Sequence, residues 1–131
     1  MEKEWILYCT GVVPAISSIV RKMTEIGDDI VVLAPVYNIF YNSILNNGRK
    51  VLASELRYAD GSYAIDFADL EEKLARETTS LFIFCNPHNP IGKVWDRPTL
   101  ERIAELCIKH DVLVVSDEIH CDLTHIGHAY I

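Results

Sequence analysis

Short apolar segments alternate with helix-forming segments along the whole chain, and this alternation limits the possible folds more than any other feature. The pattern predicts strands at 5–9, 30–34, 50–54, 81–85 and 112–115. It predicts helices at 12–26, 37–46, 66–76 and 98–110, with a turn at 57–63. Strands that alternate with helices form parallel sheets covered on both faces. We therefore predict an α/β fold, a three-layer sandwich with a mostly parallel sheet.

Composition excludes several classes of protein. The 131 residues are half apolar and carry a net charge of −7, which argues against binding to nucleic acid. The longest uncharged stretch, 5–20, is too short and too interrupted to span a membrane, and the acidic N-terminus is unlike a signal peptide. We expect a cytoplasmic protein with buried, reduced thiols at its cysteines, Cys9, Cys85, Cys107 and Cys121.

The residues that follow each strand are the candidates for function, because ligands of such sheets bind at the carboxyl ends of the strands. Gly11 follows the first predicted strand and opens a helix. The free N–H groups of a helix N-terminus suit a phosphate, although a glycine here also suits a plain turn. Tyr37 follows the second strand, and its ring could stack on a flat ligand or simply pack in the protein.

A loop with two Asn-Pro pairs follows the strand at 81–85. Each proline fixes its own φ and restricts the residue before it, so the loop at 86–93 is stiff. Such a loop can orient one amide side chain toward a ligand, or it can be a plain tight connection. Lys93 follows Gly92 without the other residues of a phosphate-binding P-loop, so we expect a surface lysine.

Asp117 and Glu118 follow the last predicted strand, where adjacent side chains point to opposite faces. We expect Asp117 to be buried, whereas Glu118 need not share its pocket, and a buried carboxylate needs a partner such as a cationic ring nitrogen. His120 faces the same pocket if the chain turns after the strand. The spacing of the histidines and the cysteine between 120 and 128 matches no familiar zinc pattern, so we expect no metal site.

Together these positions offer an anion cradle, an aromatic face, an amide and a buried carboxylate. A phosphorylated, flat, cationic heterocycle with a phenolic oxygen needs all four, and pyridoxal phosphate is such a ligand.

The motifs resemble those of the fold-type I pyridoxal-phosphate enzymes, the aminotransferase class I/II superfamily. Within that superfamily the chain looks closest to the cystathionine β-lyase or cysteine-S-conjugate β-lyase group, mainly because of Gly-Val-Val-Pro and Asp-Glu-Ile-His-Cys-Asp. The matching segments are Gly11-Val12-Val13-Pro14-Ala15, Pro35-Val36-Tyr37, Asn86-Pro87-His88-Asn89-Pro90-Ile91-Gly92-Lys93-Val94-Trp95 and Ser116-Asp117-Glu118-Ile119-His120-Cys121-Asp122-Leu123.

The resemblance implies a role for each matching residue at the cofactor. The backbone N–H groups of Gly11, Val12 and Val13 would bind its phosphate.

The remaining four residues would contact the pyridine ring and its substituents. Tyr37 would stack on the ring, and Asn89 would hydrogen-bond the phenolic oxygen, with an Asn89-Pro90 bond that can be cis. Asp117 would pair with the ring nitrogen and keep it protonated. His120 would lie near the phenolic oxygen.

The resemblance also implies residues that this chain does not contain. The Schiff-base lysine of the family follows the Asp-Glu-Ile-His motif in a Ser-x-x-Lys setting, whereas every lysine here precedes Asp117. We therefore expect that lysine beyond Ile131, with no catalytic residue in 1–131. The chain would be the middle of the large domain, without the N-terminal segment and the C-terminal small domain. Family members are homodimers, so a homodimer is implied for the parent enzyme.

The predicted function of the parent enzyme is α,β-elimination on cystathionine or a cysteine-type thioether, which gives pyruvate, ammonia and a thiol. The alternative with the same cofactor is an aminotransferase, although aminotransferases tend to have Tyr where this chain has His120. An alternative of another class is a non-catalytic fragment.

Overall fold

The structure is a computed structural model that describes residues 2–125 and Tyr130. After a 3₁₀ turn at Lys3–Trp5, the helices are α1 (Val12–Met23), α2 (Ile39–Leu45), α3 (Phe67–Leu74) and α4 (Arg97–Lys109). The strands are β1 (Asp29–Ala34), β2 (Lys50–Glu55), β3 (Arg57–Ala59), β4 (Ser62–Ala64), β5 (Thr79–Cys85) and β6 (Leu113–Asp117). Among the described residues, no helix is long and apolar enough to cross a membrane.

Four parallel strands form the central sheet in the order β2-β1-β5-β6. Their side chains divide between two apolar clusters, as expected for a sheet buried on both faces. Ile30 and Val32 pack with α1 and α2, whereas Val31 and Leu33 pack with α3 and α4. The predicted α/β three-layer fold is confirmed.

The predicted turn at 57–63 is a short hairpin in which β3 and β4 pair antiparallel. Asp60 and Gly61 both have positive φ, 53° and 77°, the conformation that a tight two-residue hairpin turn requires. The hairpin forms one wall of a cleft described below.

The strand predicted at 5–9 is wrong. The chain from Trp5 to Tyr8 is at least 64% exposed and forms no ladder. A strand exists only where a neighbour supplies backbone partners, and none of the described segments runs beside this one. The predicted burial of Cys9 fails for the same reason, since its thiol is exposed; Cys85 and Cys107 are buried as predicted, and Cys121 is half-buried.

Helix α1 ends at Met23, earlier than the predicted residue 26. The buried guanidinium of Arg49 donates to the Thr24 hydroxyl at 2.8 Å and to its carbonyl oxygen, and Thr24 itself donates to Val20 O at 2.6 Å. These bonds satisfy acceptors at the helix end, which an apolar residue could not do.

Candidate functional site

The candidate positions lie where the parallel strands end. Tyr37 follows β1, Asn89 follows β5, and Asp117 is the last residue of β6. Asp117 pairs in register with Cys85, and the N–H of Asn86 donates to Asp117 O at 3.0 Å. These contacts hold the carboxyl ends of β5 and β6 side by side.

Gly11 leaves open space in front of α1. Its φ of 166° is extended backbone that any residue adopts, and an added Cβ would meet only Pro14 Cδ, at 3.7 Å. The fold itself therefore does not require a glycine. No side chain caps the helix, and Pro14 has no N–H, so the free donors of the first turn belong to Val12 and Val13. This is an arrangement that can receive an anion.

Asp117 is buried, and its neighbour Glu118 is exposed, as the alternation of side chains predicts. Asp117 Oδ1 accepts one hydrogen bond, from the Ile119 N–H at 3.2 Å. In the described part of the chain, no lysine, arginine or histidine nitrogen lies within 4.0 Å of this carboxylate. A buried anion without a cation is costly, so this carboxylate suits a positively charged ligand.

The asparagines of the two Asn-Pro pairs differ in burial and in their contacts. Asn86 is buried, and its Oδ1 accepts from the Trp95 N–H at 3.1 Å, which closes the loop. Asn89 is half-buried, with its backbone N–H 3.5 Å from the Cys85 sulfur. Both bonds to proline, Asn86-Pro87 and Asn89-Pro90, are cis. Asn86 Oδ1 is thus engaged in the fold, whereas Asn89 lines an open cleft, where its side-chain amide can meet a ligand.

His120 lines the same cleft as Asn89. Backbone bonds from Cys121 N to Glu118 O and from Leu123 N to His120 O, both 2.9 Å, make the predicted turn after β6. A cleft of about 790 Å³ lies between hairpin β3–β4, the loop at 87–94 and the segment 120–125, and both Asn89 and His120 line it. Gly11, Val12, Val13, Tyr37 and Asp117 are outside its lining.

Tyr37 follows the end of β1, and the residue is 37% exposed. Its one aromatic neighbour among the described residues is Phe40, edge to face at 5.9 Å between ring centroids. A flat ligand could therefore still cover one face of the ring. The alternative, a tyrosine that is fully packed inside the protein, is met only in part.

Two features of the loop were not predicted. Lys93 is not a free surface lysine, since its Nζ donates to Tyr63 O at 2.6 Å and to Ser62 Oγ at 3.1 Å. His88 is buried beside Trp95, and burial holds the pKa of its imidazole below the ordinary value. The doubled Asn-Pro motif points to the amides as functional groups, and no pattern in the sequence marks His88 as buried. Among the described residues, no cluster of His, Cys, Asp or Glu could hold a metal ion.

The chain is similar to known proteins over nearly its whole length. The model of the family described as aminotransferase class I and II matches residues 1–129. The chain is 51% identical over 127 residues to cystathionine beta-lyase PatB of Bacillus subtilis, and 37% identical over 124 residues to protein MalY of Escherichia coli. These alignments cover 97% and 94% of this chain but 33% and 32% of the relatives.

The chain is also similar to a solved structure. The crystal structure of cystalysin from Treponema denticola, which contains a pyridoxal 5'-phosphate cofactor, superimposes with a TM-score of 0.97 and 39% identity. The match covers 99% of this chain and 33% of that one. The chain thus spans about a third of the length of the relatives that it matches.

Proposed function

Since the chain belongs to the aminotransferase class I and II family, we propose that it is the cofactor-binding part of a pyridoxal-phosphate-dependent carbon–sulfur β-lyase. The reaction would be α,β-elimination on cystathionine or another cysteine-type thioether. The products would be pyruvate, ammonia and a thiol. The relative at 51% identity supports the lyase, because it is named a cystathionine beta-lyase.

The observation that carries the cofactor assignment is the buried carboxylate of Asp117. It has one N–H donor and no cationic partner among the described residues, so a protonated ring nitrogen fits it. The uncapped first turn of α1 fits the phosphate by the same reasoning, because its donors have no side-chain acceptor. When bound, pyridoxal phosphate supplies an electron sink that stabilises negative charge at the α-carbon of an amino acid.

Each residue has a separate task in this proposal. Asp117 holds the proton on the ring nitrogen, because the buried anion favours the charged form of its partner. Asn89 would donate its amide N–H to the phenolic oxygen and so help to orient the ring. Tyr37 would stack on the ring and exclude water from it.

His120 borders the same cleft as Asn89 and would bind near the phenolic oxygen. Gly11, Val12 and Val13 would donate their backbone N–H groups to the phosphate, and the missing side chain of Gly11 would keep the approach to those groups open.

The whole protein would be larger than this chain. We propose that the lysine that binds the cofactor covalently lies in a Ser-x-x-Lys segment after residue 131, and that the active enzyme is a homodimer. Reading the coding sequence beyond this point tests the first statement. A stop codon directly after Ile131 would instead favour the non-catalytic fragment.

An assay of products tests the reaction. The full-length protein is given L-cystathionine and pyridoxal phosphate, and pyruvate and free thiol are measured with and without an added keto acid. Equal release of pyruvate and thiol without a keto acid supports the lyase. An aminotransferase, which the family description also allows, would form a new amino acid only when the keto acid is present and would release no thiol.

A further inference from the structure

The imidazole of His88 is buried between the ends of two strands and has no task in the proposed reaction. It is 1% exposed, and its ring lies edge to face against Trp95, with 5.9 Å between centroids. Its Nε2 is 2.9 Å from the carbonyl oxygen of Pro35, which lies 53 positions away in the sequence. The residue therefore bridges the loop after β5 and the segment after β1.

The partner of Nε2 determines where the imidazole carries its proton. A carbonyl oxygen only accepts, so Nε2 must donate its hydrogen to Pro35 O. Nδ1 is buried without a hydrogen-bond partner among the described residues, and burial lowers the pKa of the ring. The bond to Pro35 O therefore assigns the hydrogen of the neutral imidazole to Nε2, and burial favours this neutral form.

Both ends of this bridge are fixed to the fold. The N–H of His88 donates to Lys93 O at 2.7 Å, and Gly92 N donates to His88 O at 2.8 Å, which holds the backbone immediately before Asn89. On the other side, Leu56 N donates to Ala34 O at 2.7 Å, and the Val36 side chain is buried.

Tyr37 and Asn89 are thus connected by a short path. Pro35 lies two residues before Tyr37, and His88 lies directly before Asn89. The bond from Nε2 to Pro35 O is the side-chain hydrogen bond that joins these two segments in the described structure. Without it, the segment that carries the ring and the loop that carries the amide lose this polar contact.

We propose that His88 is a positioning residue that sets the placement of Tyr37 relative to Asn89, and so determines how the pyridine ring of the cofactor is held. The inference rests on the proposed function. It assigns no contact between His88 and the cofactor.

Two variants of the full-length protein test the role of the donor. His88→Met removes the N–H donor from a side chain of similar length, whereas His88→Gln keeps a donor near the position of Nε2. Affinity for pyridoxal phosphate is measured on apoprotein by equilibrium dialysis, and the orientation of the bound ring by circular dichroism in the visible band. His110→Met is the matched control, because it makes the same change at the far end of α4.

We expect His88→Met to bind the cofactor about tenfold more weakly, equivalent to about 1.4 kcal/mol, and to lose much of the visible dichroism. The cofactor affinity of His88→Gln should stay within about threefold of the wild-type value, and the affinity of His110→Met should equal that of the wild type. Wild-type affinity and dichroism in His88→Met would overturn the inference, even if the variant unfolds more easily. A wild-type protein that binds no pyridoxal phosphate would instead overturn the proposed function.

If His88→Met does not fold, a measurement on the wild-type protein tests the role of His88 instead. The ¹⁵N spectrum of the imidazoles should show His88 as the neutral tautomer protonated at Nε2, with a shift of that resonance when pyridoxal phosphate is added. A hydrogen on Nδ1, or a resonance that does not respond to the cofactor, would contradict the role.

Discussion

Replacement of Asp117 by Asn separates a ligand-binding carboxylate from a structural one. The side chain is nearly isosteric, and its Oδ1 can still accept the Ile119 N–H that now lies at 3.2 Å. The change therefore removes the negative charge and little else. In the described structure that charge has no cation within 4.0 Å, so the folded protein without cofactor loses no ion pair.

These contacts set the size of the expected changes in the free energy of unfolding and in cofactor affinity. A hydrogen bond to a charged group contributes about 1.5–3 kcal/mol and a neutral one about 1 kcal/mol, so weakening the Ile119 bond costs about 1 kcal/mol. Relief of the buried charge offsets this cost, and the free energy of unfolding should change by less than about 1 kcal/mol. Cofactor affinity should fall about 10- to 100-fold, because the charge-assisted bond to the ring nitrogen is lost.

Glu118→Gln is the matched control, since it neutralises the adjacent carboxylate, which is exposed. Urea denaturation of the apoprotein measures the free energy of unfolding, and equilibrium dialysis measures binding of pyridoxal phosphate. Glu118→Gln should change neither quantity appreciably. The reasoning is refuted if Asp117→Asn binds the cofactor like the wild type and loses more than about 2 kcal/mol of stability, because Asp117 would then be a structural residue.

Three further predictions concern the fold. Arg49→Met should lower the free energy of unfolding by about 2 kcal/mol in urea denaturation, because it leaves buried acceptors at the end of α1 unpaired; a loss no larger than that of the exposed Arg76→Met would contradict this. Burial lowers the pKa of His88 in the folded protein. As the pH falls below about 6.5, the unfolded chain is therefore protonated at this residue before the folded protein is. The free energy of unfolding should decrease there by at most about 1.4 kcal/mol per pH unit because of His88. His88→Gln should remove this contribution to the pH dependence of the free energy of unfolding. An unchanged pH dependence in that variant would exclude a buried neutral imidazole at His88. Burial raises the pKa of Cys107 to about 11, so a disulfide reagent should modify the exposed Cys9 first and Cys107 only after unfolding; rapid modification of Cys107 in the native protein would disprove its burial.

The layered architecture could be predicted because it depends on local patterns. The continuous apolar run of β1 fits a strand with both faces covered, and the side chain of Asp66 caps α3 through the N–H groups of Ala68 and Asp69, at 3.2 and 3.4 Å. The burial of Asp117 beside an exposed Glu118 follows from strand alternation alone.

The failures concern contacts between distant segments. Trp5 to Cys9 have the composition of a strand, but pairing depends on a neighbouring backbone that no local pattern specifies. The bond between His88 and Pro35 spans 53 positions, and it exists only because parallel strands bring both segments to one edge. The contact of Lys93 with hairpin β3–β4 is of the same kind.

The central claim is that the ends of these parallel strands, with the N-terminus of α1, hold pyridoxal phosphate. A crystal structure of the full-length protein with that cofactor tests it most directly. We predict the phosphate against the N–H groups of Val12 and Val13, the ring nitrogen against Asp117, and the phenolic oxygen beside Asn89. A cofactor bound away from these residues, or a protein cation paired with Asp117 in its place, would contradict the account.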